Sequence, residues 1–486
     1  MYNNNYKPIL LLILLAHFVL IFVLSASSIS LPTDMIENLI WGKTLDFASD
    51  KHPPFFGWES YLTFKLFGGN LLFYHILTPL HQVFLLLFVY LLADRILKSP
   101  YKALVAVILA QGIIFHTFYY RFNANTANYG FFTAIYYYFY LALKEQKYKF
   151  FIIVGALSGI TVLIKYSAII MIGSLGLILL ITKEGRRAFK SPFLYLGLVA
   201  FCLVLYKYVN HAFLSDYSKD GGLQYFAEQS LNAEMRWFEI PRMIITPIIA
   251  SIPALIVFFQ IKTYFIRRAK NFDKTFLLIT SLSPFIGTLL FAIFTKSQVG
   301  FYWLCMFYSL FPILALYFWE IKQNKIKMIA KIMYSILFVI YAVYFGGNVI
   351  NQKEDTKAIG SFVKEITKDE INYVICNDTR RICGTVALYG MDFENVIMPI
   401  SRWKNPFDEV NNSNNKPSKI LVIGTDEKLN LPDYKTEIIT KSFPKYYTFN
   451  ALSNLVKKVD SENTTPTEIT FTIATLKNKD DNPKKP

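Results

Sequence analysis

Eleven apolar runs, each near the roughly 20 residues a helix needs to cross a bilayer, dominate the chain. They lie at about 9–30, 71–94, 103–118, 128–143, 150–164, 168–182, 192–211, 243–261, 275–294, 301–319 and 328–347. Such runs cannot all be hidden in a soluble core. Of the 486 residues, 54% are hydrophobic and only 17% are charged, where a soluble domain is nearer about a quarter charged. That excludes a disordered, fibrous or ordinary cytosolic protein. The expected fold is mainly α, a polytopic membrane protein of about 11 transmembrane helices. The first run resembles a signal peptide ending at Ser25-Ala26-Ser27, but it is long for one and ten more runs follow, so an uncleaved anchor is expected.

The charge distribution sets an orientation. Net charge is +16, from 50 Lys and Arg against 34 Asp and Glu. Residues 1–350 hold 30 basic and 15 acidic residues, and residues 351–486 hold 20 and 19. The excess therefore sits in short loops between apolar runs, where it orients a membrane protein. It forms no stripe of a nucleic-acid module, so no nucleic-acid partner is expected. With the N-terminus cytoplasmic, the inner segments carry 20 Lys and Arg in 55 positions and the outer ones 9 in 89. Eleven spans then put the C-terminus outside. The expected domains are 1–350, a transmembrane unit with a first outer loop at 31–70, and 351–486, a small outer α/β domain.

That α/β expectation comes from a helix-like stretch at 355–367 and strand-like segments at 371–376, 420–424 and 468–475. Cys202 and Cys305 fall in apolar runs and read as buried small residues. Cys376 and Cys383 fall in the exported tail, where a disulfide can form. No Cys/His cluster has zinc-ligand spacing. The sequence indicates no cofactor, and a divalent metal stays open without being indicated.

The first loop carries the most distinctive chemistry. Residues 35–47 have an amphipathic pattern suited to the membrane surface, with Ile36, Leu39 and Ile40 on one face. Asp34 stands where the first span meets water, which suits a general base tuned by partial burial. Asp34-x-x-Glu37 equally suits a capping box at the start of the surface helix; spacing leaves both readings open. Lys51-His52-Pro53-Pro54 is a rigid turn, because the prolines fix φ and push the preceding residue out of the helical region. It either reverses the chain or holds a cation where a lipid phosphate would lie.

Asp34-x-x-Glu37-x-x-x-Trp41-Gly42 followed by Lys51-His52-Pro53-Pro54-x-x-x-Trp58 resembles the first periplasmic loop of bacterial polyprenyl-phosphate-dependent glycosyltransferases. These are GT-C-fold membrane enzymes related to the lipid A aminoarabinose transferase and the protein O-mannosyltransferases. Phe122-Asn123-Ala124-Asn125-Thr126 and Gly155-x-x-x-Gly159-x-x-x-x-x-Lys165-Tyr166 agree in order and spacing. The likeness covers the layout of residues 1–320 and is specific in those three patches. Two positions depart from it. Met35 follows Asp34 where much of the family has an adjacent acidic pair, and His52 stands where Lys often precedes the two prolines.

The resemblance implies transfer of a sugar from a polyprenyl (undecaprenyl) phosphate donor to lipid A, another glycolipid or a protein at the periplasmic face of the bacterial inner membrane, with membrane lipids around the helices. It implies catalytic roles for Asp34 and Glu37. Lys51, His52 and Lys165 would bind the donor phosphate, and Asn123, Asn125, Trp41, Trp58 and Tyr166 the substrate. Each has a plainer alternative. Lys165 also suits a helix end, Asn123 and Asn125 suit turns and caps, and Arg121 suits an interfacial anchor. His17, His75 and His81 on apolar helices read as packing residues. The rival class is a transporter or flippase of lipid-linked sugars, which would place its polar residues nearer the bilayer midplane.

Overall fold

Helix lies within each of the eleven apolar runs in the computed structural model. It describes residues 6–27, 31–43, 45, 47, 52–214, 233–260, 264–266, 269, 271–295, 301–350, 353–354, 356–367, 371, 373–376, 396–397, 416–423, 431–443, 445–446 and 467–477. The helices of the first half are α1 (Tyr6–Ala26), α2 (Thr33–Lys43), α3 (Phe55–Leu66), α4 (Leu71–Tyr74), α5 (Leu77–Leu97) and α6 (Pro100–Gln111). They continue as α7 (Ile114–Phe118), α8 (Ala124–Lys144), α9 (Phe150–Ile164), α10 (Ala168–Ile181), α11 (Lys183–Ala188) and α12 (Pro192–Leu214). Further helices span Ala233–Ala250, Ile252–Gln260, Phe272–Thr295, Phe311–Phe318 and Ile326–Ile350, with a 3-10 helix at Phe301–Leu310.

The expected count of eleven single spans is not reproduced. Among the described residues five helices are long and apolar enough to cross a membrane, or six if the pair bent by 51° between Ala250 and Ile252 is one span. The difference lies in breaks and short pieces. The run at 103–118 is interrupted after Gln111, and the run at 301–319 changes from 3-10 to α helix at Phe311. Helices α9 and α10 have 15 and 14 residues, a little over ~20 Å, against a hydrocarbon thickness of about 30 Å.

Helix α8 runs through the middle of the bundle, packed on α5, α9 and the 3-10 helix. Tyr129, Phe132, Tyr136 and Phe139 on it are buried. With 21 residues it separates two polar layers by about 30 Å. At its C-terminal end Lys144 pairs with Asp273 at 3.2 Å, and Tyr140 donates to the same carboxylate at 3.0 Å. Its N-terminal end meets the first loop. Cys305 is buried nearby, whereas Cys202 is exposed on α12, because that helix turns one side away from the bundle. The side chain of Cys376 and all of Cys383 lie outside the described residues.

Where surrounding lipid is as apolar as the side chains, helices associate through close approach and polar contacts. Both devices are present. A Cβ on Gly155 of α9 would stand 1.8 Å from the Gly197 carbonyl oxygen of α12, and one on Gly197 2.4 Å from that of Phe151. Among other helices, Gln111 of α6 donates to His17 Nδ1 at 3.0 Å, and His17 Nε2 bonds Gln82 Oε1 of α5 at 3.2 Å. Tyr334, on the helix at Ile326–Ile350, donates to Gln111 Oε1 at 3.0 Å. Four helices are thus keyed to one register.

A short ladder lies among the helices, and the remaining strands follow Ile350. Strands β1 (Tyr264–Phe265) and β2 (Trp319–Glu320) make a small ladder, as do β3 (Lys353–Glu354) and β8 (Lys445–Tyr446). The main sheet has the order β5-β4-β6-β9-β7, from β4 (Tyr373–Cys376), β5 (Val396–Ile397), β6 (Lys419–Ile423), β7 (Tyr434–Phe443) and β9 (Thr467–Leu476). β4 lies parallel to β5 and β6, and β9 antiparallel to β6 and β7. The helix Thr356–Thr367 turns Ile359 and Val363 into a cluster with Val374, Leu421, Phe443 and Phe471. The same cluster continues into Met35, Ile36, Leu39 and Phe56 of the first loop.

Replacing Gly155 by Val should force α9 and α12 apart and destabilise the folded protein by about 2 kcal/mol or more. Gly173→Ala, where an added Cβ meets nothing within 4 Å, should leave the melting temperature unchanged or slightly raised. Thermal unfolding of both variants in detergent checks the contrast.

Candidate active site

The first loop is folded around two crossing helices. α2 begins at Thr33, with Met35 N–H donating to the Pro32 carbonyl at 2.9 Å. Asp34 therefore stands inside the first turn, where its charge meets the positive helix end, and not at the preceding position that a capping side chain takes. α3 starts behind buried Pro53 and Pro54, where a missing N–H costs little. The helices cross at Gly42 and Gly57, where a Cβ on Gly42 would stand 1.9 Å from the Gly57 carbonyl oxygen. No larger residue fits that crossing.

Asn123 is the organising residue. It sits in extended conformation ahead of α8, and its Oδ1 accepts from the N–H groups of Asn125 and Thr126 at 2.9 and 3.3 Å. The Thr126 hydroxyl returns an acceptor to the Asn123 N–H at 2.9 Å, completing a capping box. The amide nitrogen then reaches outward, donating to Tyr119 Oη at 2.8 Å and to Asp34 Oδ2 at 3.2 Å. An asparagine amide has one acceptor oxygen and two N–H donors. Here all are engaged within the protein, so Asn123 positions Asp34 and caps α8 at once. Asp34 itself is half-buried.

Two residues further along, the Asn125 carboxamide oxygen accepts from the Lys165 ammonium. Lys165 occupies the break between α9 and α10 and is buried, 7% exposed. Burial disfavours its charge and lowers its pKa to about 8, with the Cys305 thiol opposing the shift. The first turn of α8 thus holds a carboxylate through Asn123 and an ammonium through Asn125.

The other sequence candidates fall around this pair. Glu37 is buried on α2. Its neighbour Asn38 donates to the Phe122 carbonyl at 3.0 Å, tying α2 to the residue before Asn123. Met35, in place of a second acidic residue, is fully buried in the apolar cluster, and its carbonyl accepts from Tyr74 Oη at 3.0 Å. His52 is half-buried with its ring edge against Phe56 at 5.6 Å, and half-buried Trp58 packs edge-on to Phe47 at 4.8 Å. Tyr166 shares a hydroxyl hydrogen bond with Tyr208 of α12. Arg121 is exposed. Lys51 and the side chain of Trp41 lie outside the described residues. Among the described residues no three His, Cys, Asp or Glu side chains converge as a metal-binding group.

Sequence reasoning passed over Tyr74, Ser60 and Glu59 and read His81 as a packing residue. Tyr74 Oη donates to Ser60 Oγ at 3.1 Å, and Glu59 Oε1 lies 2.8 Å from His81 Nε2. The available signal was a carboxylate directly after the Trp58 patch, with a histidine ten residues into the next apolar run.

Residues 51–209 match the model of the family described as dolichyl-phosphate-mannose-protein mannosyltransferase. The matched segment contains His52, Asn123, Asn125, Lys165 and Tyr166 but not Asp34. A third of the chain, within its helical part, is thus similar to a family of lipid-phosphate-sugar-dependent transferases. Among solved structures it is similar to ArnT from Cupriavidus metallidurans bound to undecaprenyl phosphate, with 11% identity, a TM-score of 0.48, and coverage of 85% of this chain and 92% of that one. It is also similar to the Archaeoglobus fulgidus oligosaccharyltransferase tethered with an acceptor peptide, with 13% identity, a TM-score of 0.42, and coverage of 81% and 64%. These likenesses are distant. None of the curated proteins matches the chain.

Asn123→Asp should keep the α8 cap, since Asp caps as well as Asn, but set a second carboxylate against Asp34. Two such groups cannot both ionise easily, so the variant should melt within about 1 kcal/mol of wild type at pH 5 and lose stability as pH rises past the carboxylate range. Asn123→Ala, lacking the cap, should instead lose about 1 kcal/mol at both pH values. Melting curves against pH separate the two effects.

Proposed function

We propose that the protein transfers a sugar from a polyprenyl phosphate, undecaprenyl phosphate in particular, to lipid A or another cell-envelope glycolipid at the periplasmic face of a bacterial inner membrane. The observation that carries this reading is Asp34, half-buried on the first loop and fixed by Asn123, beside a segment that matches a lipid-phosphate-sugar transferase family. In this reading residues 1–350 are the transferase unit and 351–486 a smaller unit on the same outer face. The apolar cluster shared between the sheet and the first loop supports that placement. The abundance of Lys and Arg in the opposite loops supports the orientation.

The chemistry follows from the side chains. Asp34 takes the proton of the acceptor hydroxyl as its oxygen bonds to the anomeric carbon. The bond from that carbon to the phosphate oxygen breaks, and its electron pair leaves with the phosphate. Lys165, with His52 and Lys51, offsets the charge that grows on the departing polyprenyl phosphate. Trp41, Trp58 and Tyr166 line the substrate, and Glu37 supports Asp34 from the same helix. A protein acceptor is the second reading, favoured by the protein named in the family description.

Mass spectrometry of envelope glycolipids from cells lacking the protein, or complemented with wild type or Asp34→Asn at matched membrane levels, tests the reading. The expected outcome is a sugar-sized mass lost in the null, restored by wild type and absent with Asp34→Asn, whose initial rate should fall by about 10²-fold or more. Full restoration by Asp34→Asn removes it as the base. An unchanged glycolipid profile moves the acceptor to protein. Donor movement without release of polyprenyl phosphate makes the protein a flippase.

Transfer should also depend on the charge of Lys165. Its ammonium dominates below about 8 and is lost as pH rises through that value. The rate should fall above about pH 8 in wild type, and Lys165→Gln should be slower at pH 7 and lack that decline. A rate–pH profile at saturating donor checks both.

A further inference from the structure

Helix α11 (Lys183–Ala188) is short, but it is held firmly and carries its positive charges on one side. The Thr182 hydroxyl accepts from the Gly185 N–H at 2.9 Å and donates to the Ile178 carbonyl of α10 at 2.8 Å. Gly185 lies so close to α10 that a Cβ there would stand 2.5 Å from the same carbonyl oxygen. The Lys190 N–H donates to the Arg187 carbonyl at 3.1 Å, so the helical path continues to Lys190. Along it Lys183, Arg186, Arg187 and Lys190 are exposed, whereas Gly185 and Ala188 are buried. At about 3.6 residues per turn the four cations fall within an arc of about 100°, directly opposite the two buried residues.

Orientation in a membrane depends on how many Lys and Arg a loop holds and is indifferent to the helix face they occupy. Concentration on one face has a cost of its own. Like charges three and four residues apart destabilise a helix, and Lys183 stands at the positive helix end. Among the described residues none of the four cations pairs with a carboxylate. Glu184 stands off one edge of the arc, half-buried and in no ion pair. Arg186 Nη1 donates to the Leu180 carbonyl at 3.0 Å, which holds the side chain at the end of α10. The repulsion is therefore left for an external anion to relieve. Exposed apolar residues flank the face on both sides, Leu180 and Ile181 before it and Phe193 and Tyr195 after it. The last two lie on α12, which is long and apolar enough to cross a membrane. Cations set between two such ends stand at the depth of lipid headgroups, where a soluble acidic partner would have no use for the apolar flanks. The 14 residues of α10 put this face about 20 Å from Lys165.

We propose that the exposed face of α11 binds the phosphate of an anionic phospholipid, in the leaflet remote from Asp34. The site is separate from sugar transfer and stands or falls without it. Native mass spectrometry of the full-length protein in detergent, titrated with dioleoyl phosphatidylglycerol or dioleoyl phosphatidylcholine, tests it by counting bound lipid. Wild type should bind the first phosphatidylglycerol about tenfold or more tighter than phosphatidylcholine at low salt, with the gap narrowing as ionic strength rises. Lys183→Gln with Arg187→Gln should weaken phosphatidylglycerol by about tenfold or more, at about fivefold per cation, and leave phosphatidylcholine within about twofold. Lys183→Arg with Arg187→Lys keeps both charges and should keep the preference. Lys327→Gln with Lys331→Gln removes two exposed charges four residues apart on the helix at Ile326–Ile350, and should leave the preference intact. An equal loss from that pair and the α11 pair overturns the site, since net charge alone then governs binding. Loss of the preference in the charge-keeping pair also overturns it, as does a wild type that binds the two lipids equally.

Discussion

The Asn123 carboxamide joins two requirements that would otherwise be met by separate residues. A helix that begins at a membrane edge presents N–H groups with no partner inside the helix, and burying them unpaired is costly. Asn123 Oδ1 answers that need for α8, whose buried face lies against α5, α9 and the 3-10 helix. Its two N–H donors face the opposite way, to Tyr119 and Asp34. The helix at the centre of the bundle and the carboxylate on the loop are therefore fixed by one planar group. Movement of either displaces the other, and the first loop takes its position from the membrane helices and not from its own short helices.

The same logic reaches deeper. Gln82 bonds His17 through its oxygen and donates to the Tyr119 carbonyl at 3.2 Å through its nitrogen. Tyr119 in turn accepts from Asn123. A continuous chain of hydrogen bonds and covalent backbone runs from Tyr334 through Gln111, His17, Gln82 and Tyr119 to Asn123 and Asp34. Where lipid gives apolar helices no reason to choose one another, such directional bonds and the contact at Gly155 and Gly197 select a single arrangement. The site inherits its precision from them.

What was legible in the sequence follows from how local each signal is. Apolar runs report helical segments directly, so helix lies in each of the eleven even though the count of eleven spans is not reproduced, and the strands at 373–376, 419–423 and 467–476 appeared where alternation was expected. The strand at Tyr434–Phe443 was missed, because it is an edge strand with Lys435, Glu437 and Lys441 outward and little apolar alternation to read. Breaks after Gln111 and at Phe311 were missed because hydropathy registers composition and not helical continuity. In the first loop the patch Asp34-x-x-Glu37 was visible as chemistry, yet its partner Asn123 is 89 residues away. Spacing within a loop cannot reveal such a contact. Glu59 and His81 stayed hidden for the same reason, since each alone looks like a surface carboxylate and a packing histidine.

The two charged groups at the start of α8 differ in their access to water. Asp34 is half-buried on a loop helix, whereas Lys165 is buried at a break between two short apolar helices. A base that receives a proton from a water-soluble or headgroup hydroxyl works best where solvent can carry the proton on. A cation that meets a lipid phosphate works best where water is scarce, because its attraction is less screened there. Burial makes the ammonium costly to hold, which is what the lowered pKa of Lys165 expresses. The Asn125 oxygen lowers that cost without cancelling the charge, since it brings a dipole and no counterion. A carboxylate in its place would stabilise the ammonium more strongly but would leave less net charge to attract a phosphate. On the proposed reading, the neutral Asn125 is a partner that holds Lys165 in place without itself neutralising the ammonium.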